Sequence, residues 1–371
     1  MIGAGIVGAA CAYYCAQAGL RVGVVERGAV AGGTTSAGEG NILVSDKAPG
    51  PELDLALLSA GLWAELGERF GDRIELHHKG GVVVARTPDA AAGLDTLIGR
   101  QRECGIDVTR VGAAGLAELE PRLTRDVACG AYYPQDMQVQ PMLAAAELLR
   151  RSGATVHTGT EVVGFRLRGG AVTGVRTSSG VLDARWVINA AGTWGGEVAA
   201  LAGAPVPVLP RRGFILVTEP LPPVIRHKVY TADYVANVAS DDAGLETSLV
   251  VEGTRAGTVL IGASRERVGF DRTMSLPVLR RLAAQAVGLF PFLAEVSVLR
   301  SYVGFRPYCP DHLPVIGPDP RAPGLVHACG HEGAGIGLAA ATGHLIAQTL
   351  TGATPELDLR PFRPDRFEAV A

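Results

Sequence analysis

Met1-Ile2-Gly3-Ala4-Gly5-Ile6-Val7-Gly8, continuing through Ala9 to Gly19 and on to Val24-Val25-Glu26-Arg27, is the stretch that decides how this 371-residue chain folds. Gly3, Gly5 and Gly8 form a G-x-G-x-x-G, followed by an apolar helix-like run and a short β-branched strand ending in an acid. Gly3 permits the tight strand-to-helix turn, Gly5 lets a pyrophosphate approach the backbone, and Gly8 lets helix and strand pack closely. The pyrophosphate is expected on the N–H groups of the helix N-terminus, where the dipole favours negative charge. Glu26, eighteen residues after Gly8, is placed to accept hydrogen bonds from a ribose and disfavours a 2′-phosphate. Together these offsets predict a dinucleotide site. A nucleotide-binding first strand needs about five residues. Only Met1 and Ile2 precede Gly3, so the numbered chain is expected to lack the beginning of its natural first strand.

The length exceeds one ordinary core, so two domains are expected. A hydrophobic content of 47%, 49 glycines and 19% charged residues describe a well-buried α/β protein. The net charge of −3 gives no reason to expect nucleic acid or an anionic membrane as partner. No apolar run reaches the roughly eighteen residues of a membrane span, and no basic leader precedes the fingerprint; a cytoplasmic protein is expected. Cys11 and Cys15 lie one turn apart, while Cys104, Cys129, Cys309 and Cys329 are scattered without a C-x-x-C. Neither an iron–sulfur cluster nor a structural zinc is expected, and no metal site. His77-His78 reads as a solvated strand edge.

After Glu26, the small-residue stretch Gly28 to Asn41 has too many glycines and hydroxyls for a helix and can line a cofactor with backbone N–H and hydroxyl donors. Helices are predicted over Glu52 to Phe70, Pro88 to Gly105, Met142 to Arg151 and near Pro277 to Leu289. Strands are predicted at Gly80 to Ala85, Thr155 to His157 and Glu161 to Phe165, with a hairpin around Arg168-Gly169-Gly170. Trp186 to Trp194 reads as a buried strand that ends in small residues and enters a helix. Six prolines between Pro205 and Pro223 surround the strand Gly213 to Thr218 and mark a domain crossing. From Arg212 to about Arg300 the pattern is mostly β. Leu325 to Gly337 then returns to strand, glycine turn and helix start, the helix running to about Leu350 and stopping at Gly352.

With these pieces in order, the chain resembles the FAD-dependent amino-acid oxidase superfamily, which includes glycine oxidase, sarcosine oxidase, D-amino-acid oxidase and the flavin subunits of heteromeric amino-acid dehydrogenases. Five ordered motifs carry the resemblance: Gly3 to Gly8 with Glu26; Thr34-Thr35-Ser36; Asn189-Ala190-Ala191-Gly192-Thr193-Trp194; Gly304-Phe305-Arg306-Pro307 with Asp311 through Gly317; and Gly330-His331 through Gly335-Ile336-Gly337. The resemblance implies an α/β fold with an α+β second domain: a Rossmann-like FAD-binding domain with an inserted, mostly antiparallel β-sheet substrate domain. Residues 1–75, 141–210 and 300–371 are expected to form the FAD-binding domain, and 76–140 and 211–299 the substrate-binding domain.

The resemblance also implies roles for residues. FAD is expected against Gly3, Gly5, Ile6, Val7, Gly8, Glu26 and Arg27; against Thr34, Thr35, Ser36, Gly40 and Asn41; and against Ala191, Gly192 and Trp194. Val162 and Val163 resemble the segment whose backbone holds the adenine. Gly330, His331, Gly333, Ala334, Gly335 and Ile336 resemble the loop along the flavin pyrimidine edge, where backbone donors would stabilise charge that builds on the ring. Arg306 resembles the family's carboxylate clamp, since a guanidinium fork matches a carboxylate bidentately and Lys does not; a salt bridge between domains is the alternative. Glu39 and Glu332 are both expected near the flavin, either binding a cationic part of the substrate or facing solvent at the rim. The chemistry implied is hydride transfer from Cα to flavin N5 with formation of an imine, and no protein general base is expected.

Two departures sharpen the expectation. Monomeric sarcosine oxidases attach flavin through a cysteine, whereas the matching position here is Gly304 and Cys309 is misplaced, so FAD is expected to be non-covalent. The sequence His331-Glu332-Gly333-Ala334-Gly335-Ile336-Gly337 resembles the flavin subunits of D-hydroxyproline-type dehydrogenases, which work with partner subunits. The implied substrate is a small amino or imino acid: glycine, sarcosine, a D-amino acid or a proline-like imino acid. The electron acceptor is oxygen or, in the alternative, a partner protein in a hetero-oligomer. An NAD-dependent dehydrogenase using only the N-terminal fingerprint is a further alternative, disfavoured by the second glycine turn at Gly330 to Gly337. Substrate-pocket residues are expected around Tyr230 to Tyr234 and Ser248 to Ser264.

Overall fold

The computed structural model describes residues 1–233 and 242–370, with side chains through residue 367. The N-terminal strand is reduced to Ile2, which bridges Val25 on one side and Asn189 on the other. Ile2 thereby joins two parallel pairs, Gly23–Val25 with Thr155–His157 and Val187–Asn189 with Leu325–Cys329. Val315–Pro318 closes the far edge antiparallel to Leu325–Cys329. The result is a mostly parallel sheet with the fingerprint turn at its centre, the place where α/β sheets bind ligands.

The first helix spans Ile6–Gln17, starting three residues before the apolar run that suggested it. It packs with Pro51–Phe70, Pro141–Ser152 and the C-terminal helix Gly335–Thr351 through a core of Ala9, Ala10, Ala145, Trp63, Leu66 and Ala340. A Cβ on Gly343 would lie 2.6 Å from the Ala10 carbonyl carbon, so glycine sets the close approach of the first and last helices. The last helix ends at Gly352, whose φ of 78° suits glycine. On the other face lies a three-stranded meander, Val162–Arg168, Ala171–Thr177 and Gly180–Asp183, as the glycine hairpin predicts.

The second architectural unit is an eight-stranded sheet in the order 298–308, 209–218, 259–265, 246–253, 228–231, 81–85, 129–133, 109–112. Only 228–231 and 81–85 pair in parallel. Helix Leu276–Leu289 covers one face through Leu282, Ala286 and Leu289 against Phe214, Val251 and Ile261. The opposite face, through Val83, Tyr133, Tyr230, Val250 and Ala263, packs towards the nucleotide-type helices. Among its members, strand Thr109–Gly112 and the helix Ala113–Leu119 that follows it have no strong apolar period and were not predicted. The stretch Gly28 to Asn41 carries one short 3-10 turn, Thr34–Ala37, within an otherwise irregular path. His77 and His78 are exposed, His77 bridging Gln138 at a sheet margin.

Candidate active site

Between the two sheets runs a cavity of about 540 Å³, within the range of small-molecule and cofactor sites. One end is the fingerprint turn. Gly3 has φ of 98°, and a Cβ there would meet the Ala190 carbonyl oxygen at 2.5 Å; a Cβ on Gly8 would meet the Gly3 carbonyl oxygen at 2.1 Å. Gly5 faces the cavity, and Thr35 Oγ1 accepts from the Ile6 N–H at 3.0 Å, pinning the helix start to the hydroxyl loop. Glu26 accepts from the Ala4 N–H at 2.9 Å and from the Gly28 N–H at 2.7 Å while lining the same wall. Its carboxylate therefore shapes the turn, and two oxygens with several acceptor positions leave capacity for a ribose.

The turn after Val187–Asn189 forms the next part of the wall, with Ala191, Gly192 and Trp194. Asn189 holds it: its amide nitrogen donates to the Gly195 carbonyl at 2.8 Å and meets His327 Nδ1 at 3.3 Å. With Nδ1 accepting, His327 Nε2–H faces Asp319 at 3.0 Å. Burial pushes the Asp319 carboxyl up, but hydrogen bonds from His327 and Arg321 outweigh it and hold the group well below the usual carboxylate range. Arg27 stacks its guanidinium 3.9 Å from the Trp194 ring centroid, and Phe270 stacks with Trp194 at 5.3 Å. Thr34 and Thr193 both donate to the Phe305 carbonyl at 2.7 Å, tying this turn to the large sheet.

The far wall is that sheet. Gly304 and Gly213 are cross-strand partners, and Arg306 stands opposite Arg211. A Cβ on Gly304 would lie 2.6 Å from Ala37 Cβ, and one on Gly213 would lie 2.3 Å from Arg306 Nη1. The missing side chain at Gly213 lets the Arg306 guanidinium cross the neighbouring strand and donate to the Ser264 carbonyl at 2.8 Å. Arg306 thus faces the cavity from the eight-stranded sheet.

Two adjacent cations on one sheet face repel. Arg211 is fully buried and is answered by Glu332 Oε1 at 2.5 Å and Glu246 Oε2 at 3.0 Å. Glu332 Oε2 meets His312 Nδ1 at 3.1 Å. Burial alone would raise the Glu332 carboxyl, but the His312 hydrogen bond and the Arg211 charge bring it below the usual value. Glu332 is therefore an interior counter-ion and not a solvated rim residue, held at φ of 46° in the left-handed region. Glu39 also departs from the rim expectation: it is 8% exposed and faces the cavity. A small charged annexe, lined by Asp46, Lys47, Glu52, Arg265, Arg306 and Glu332, opens beside Arg306.

Among the remaining expected contacts, Ile6, Val7, Thr34, Asn41, Val162, His331, Gly333, Gly335 and Ile336 line the cavity. Gly8, Ser36, Gly40, Val163, Gly330 and Ala334 do not. Gly8, Gly40 and Gly330 stand one layer behind, where a Cβ would strike Gly3, Val139 and Cys309 respectively. Val163 points outward because strand side chains alternate, and it is half exposed. Cys309 is buried against Gly330 and outside the wall, its thiol pushed up to about 12 by burial. His331 is fully buried, and its Nε2 lies 2.9 Å from Thr342 Oγ1. That hydroxyl donates to the Leu338 carbonyl, so Nε2 carries the imidazole hydrogen; burial lowers this histidine to about 3. Tyr230 lies outside the wall, donating to Ser45 Oγ at 2.6 Å, and Tyr234 falls outside the described residues. Of the stretch Ser248 to Ser264, Gly262 and Ser264 lie beneath Glu39 and Arg306 rather than in the wall. Gly213, Ile215 and Arg272 contribute to the wall instead. No cluster of metal-ligating side chains and no helix long and apolar enough to cross a membrane occurs among the described residues.

The glycine cradle at Gly3, Gly5 and Gly8, the ribose-side acid and the open channel to Arg306 fit an extended dinucleotide such as FAD. Comparison with known proteins agrees. Hydrogen cyanide synthase subunit HcnC of Pseudomonas aeruginosa is 30% identical over 412 residues, covering 99% of this chain and 95% of that protein. Glycine oxidase of Geobacillus kaustophilus is 30% identical over 372 residues, covering 98% and 95%. The crystal structure of glycine oxidase from Geobacillus kaustophilus superposes with a TM-score of 0.89 at 28% identity over 98% of this chain and 97% of that one. L-proline dehydrogenase from P. horikoshii shares the fold at a TM-score of 0.90 and 23% identity, covering 99% and 96%. The family model described as DAO, FAD dependent oxidoreductase, matches residues 1–349, which decides for FAD over a nicotinamide cofactor, and the chain belongs to that family.

Proposed function

We propose that this FAD-dependent amino-acid oxidoreductase oxidises the C–N bond of a small amino or imino acid, of the glycine, sarcosine, D-amino-acid or D-proline type, by hydride transfer from Cα to give an imine. The observation that carries the proposal is the Arg306 guanidinium, crossing Gly213 to face the cavity. Bound FAD supplies the hydride acceptor. Arg306 holds the substrate carboxylate through paired charge-assisted hydrogen bonds. Gly213 leaves the room that the Arg306 guanidinium occupies, and Gly304 the room for Ala37 of the hydroxyl loop, so the clamp and the loop close on the cavity together. The helix Gly335–Thr351 directs its N-terminus at the same cavity, where its dipole favours negative charge. His331, neutral by burial, leaves that field undisturbed. The protein's work is orientation and exclusion of water.

The test is anaerobic addition of glycine, sarcosine, D-proline, D-hydroxyproline and D-alanine to the yellow holoenzyme. Bleaching by one of them supports the proposal and names the substrate class; no bleaching by any of the five overturns it. A second reading, that electrons pass to a partner protein rather than to oxygen, is favoured by the likeness to HcnC, a protein named as a subunit. Admission of air after bleaching separates the two. Fast recolouring with peroxide supports an oxidase, and slow recolouring supports a subunit awaiting its acceptor.

A further inference from the structure

We propose that Glu39 is the docking group for the substrate's cationic nitrogen, so that a zwitterionic amino or imino acid is held between Glu39 and Arg306. This rests on the C–N oxidation proposed above and specifies a substrate that enters as the cation and gives one N–H proton to the Glu39 carboxylate, freeing the nitrogen lone pair to form the imine as the hydride leaves Cα. Glu39 is 8% exposed and lines the cavity. Its Oε2 accepts from Asn41 Nδ2 at 3.2 Å, while its Oε1 has no hydrogen-bond partner. A buried carboxylate oxygen without a donor is costly. Glu39 itself lines the cavity, so a ligand bound there can bring the donor this oxygen lacks. An ammonium or iminium-forming secondary amine brings both the missing N–H and the opposite charge.

The spacing agrees with this assignment. Glu39 Oε1 lies over Gly262, where a Cβ would approach it to 2.5 Å. Arg306 Nη1 donates to the carbonyl of Ser264, two residues further along strand Val259–Arg265. The two anchors thus stand over neighbouring positions of one strand. In an α-amino acid the nitrogen and the carboxylate are both bonded to Cα, so one small molecule can present a cation to Glu39 and an anion to Arg306. The bond fixed between the two anchors is Cα–N, the one to be oxidised. Glycine at 262 is part of the device, because a methyl group there would push Oε1 from its place.

The experiment uses holoenzyme and anaerobic rapid mixing, the Kd being read from the fast perturbation of the flavin spectrum that precedes any bleaching. Each amino acid is paired with the isostere in which oxygen replaces nitrogen: sarcosine with methoxyacetate, glycine with glycolate, D-proline with D-tetrahydrofuran-2-carboxylate. In Glu39→Gln the Kd of the amino acid that binds wild type best should rise at least ~10-fold, the loss expected of a charged hydrogen bond. The Kd of its isostere should change less than about two-fold, since one neutral contact is involved. Glu39→Asp should recover part of the loss. Should Glu39→Gln fail to hold FAD, Gly262→Ala is read the same way and should show the same selective weakening. Equal Kd values for the amino acid in wild type and variant overturn the docking role and leave the C–N reading standing. Parallel weakening of amino acid and isostere also overturns it, because a cofactor-side or structural role affects both. Absence of any amino-acid perturbation in wild type overturns both readings.

Discussion

At the scale of single residues, Arg306 and His331 show how the same cavity asks opposite things of two basic side chains. Arg306 must stay charged and forked. Arg306→Lys keeps the charge but loses the bidentate geometry, so the amino-acid Kd should rise about 10- to 100-fold, as for loss of a charge-assisted hydrogen bond. Titration of the flavin spectrum under anaerobic conditions checks this, and an unchanged Kd counts against the clamp. His331 must stay neutral. Its folded-state value, lowered from 6.5 to about 3 by burial, lies below the unfolded one. Between those values the unfolded chain binds more protons, so this residue's contribution is fully present above about pH 6.5 and is lost as pH falls towards 3. Unfolding midpoints of wild type and His331→Asn at pH 7 and 4.5 test the sign: the fall on acidification should be smaller in the variant. Arg306 was legible in the sequence because a fork for a carboxylate is a residue-type requirement. The interior state of Glu332 was not, since nothing in Gly330 to Gly337 says that Arg211, more than a hundred residues earlier, stands behind it.

Between elements, the decisive fact is register. Strands Leu209–Thr218 and Val298–Tyr308 pair so that Arg211 faces Arg306 and Gly213 faces Gly304. The glycine turns were readable because each needs its glycines at fixed offsets along one chain, and the structure gives a distinct collision for a Cβ at Gly3 and at Gly8. Cross-strand pairing carries no such local mark, so Arg211, Glu246 and His312 were missed, although Arg211-Arg212 inside an apolar strand was a signal that buried counter-ions must exist. The cluster predicts an asymmetric response. Arg211→Met leaves Glu332 and Glu246 facing each other without their shared cation and should cost about 3–5 kcal/mol. The double variant Arg211→Met with Glu332→Gln should recover a large share, because the remaining Glu246 is partly exposed. Denaturant unfolding of the four proteins in the double-mutant cycle measures the coupling; additive losses would show that the two residues do not act as a pair.

Across the whole molecule, the cavity wall draws on segments spread from residue 2 to residue 336: the fingerprint turn, the hydroxyl loop, the strand at Val162, the Trp194 turn, the sheet face at Gly213 and Arg306, and the start of the last helix. Few of these segments are adjacent in sequence. They meet because the mostly parallel sheet, centred on a single residue of its first strand, and the eight-stranded sheet share one core with the helices Pro51–Phe70 and Gly335–Thr351, through Val83, Tyr133, Leu55, Leu338 and Ile188. A ligand bound in that seam touches both units at once, so its removal should loosen more than the fingerprint. Anything that binds only the folded state stabilises it by RT ln(1 + [L]/Kd), about 2.7 kcal/mol at a hundred-fold excess over Kd. The apoprotein should therefore melt at a lower temperature that climbs with the logarithm of added FAD. Hydrogen exchange should slow on reconstitution in two places far apart in sequence, around residues 2–9 and around residues 304–307. Protection confined to the N-terminal segment would mean that the cofactor is held by the fingerprint alone and that the large sheet closes the cavity without gripping what is inside it.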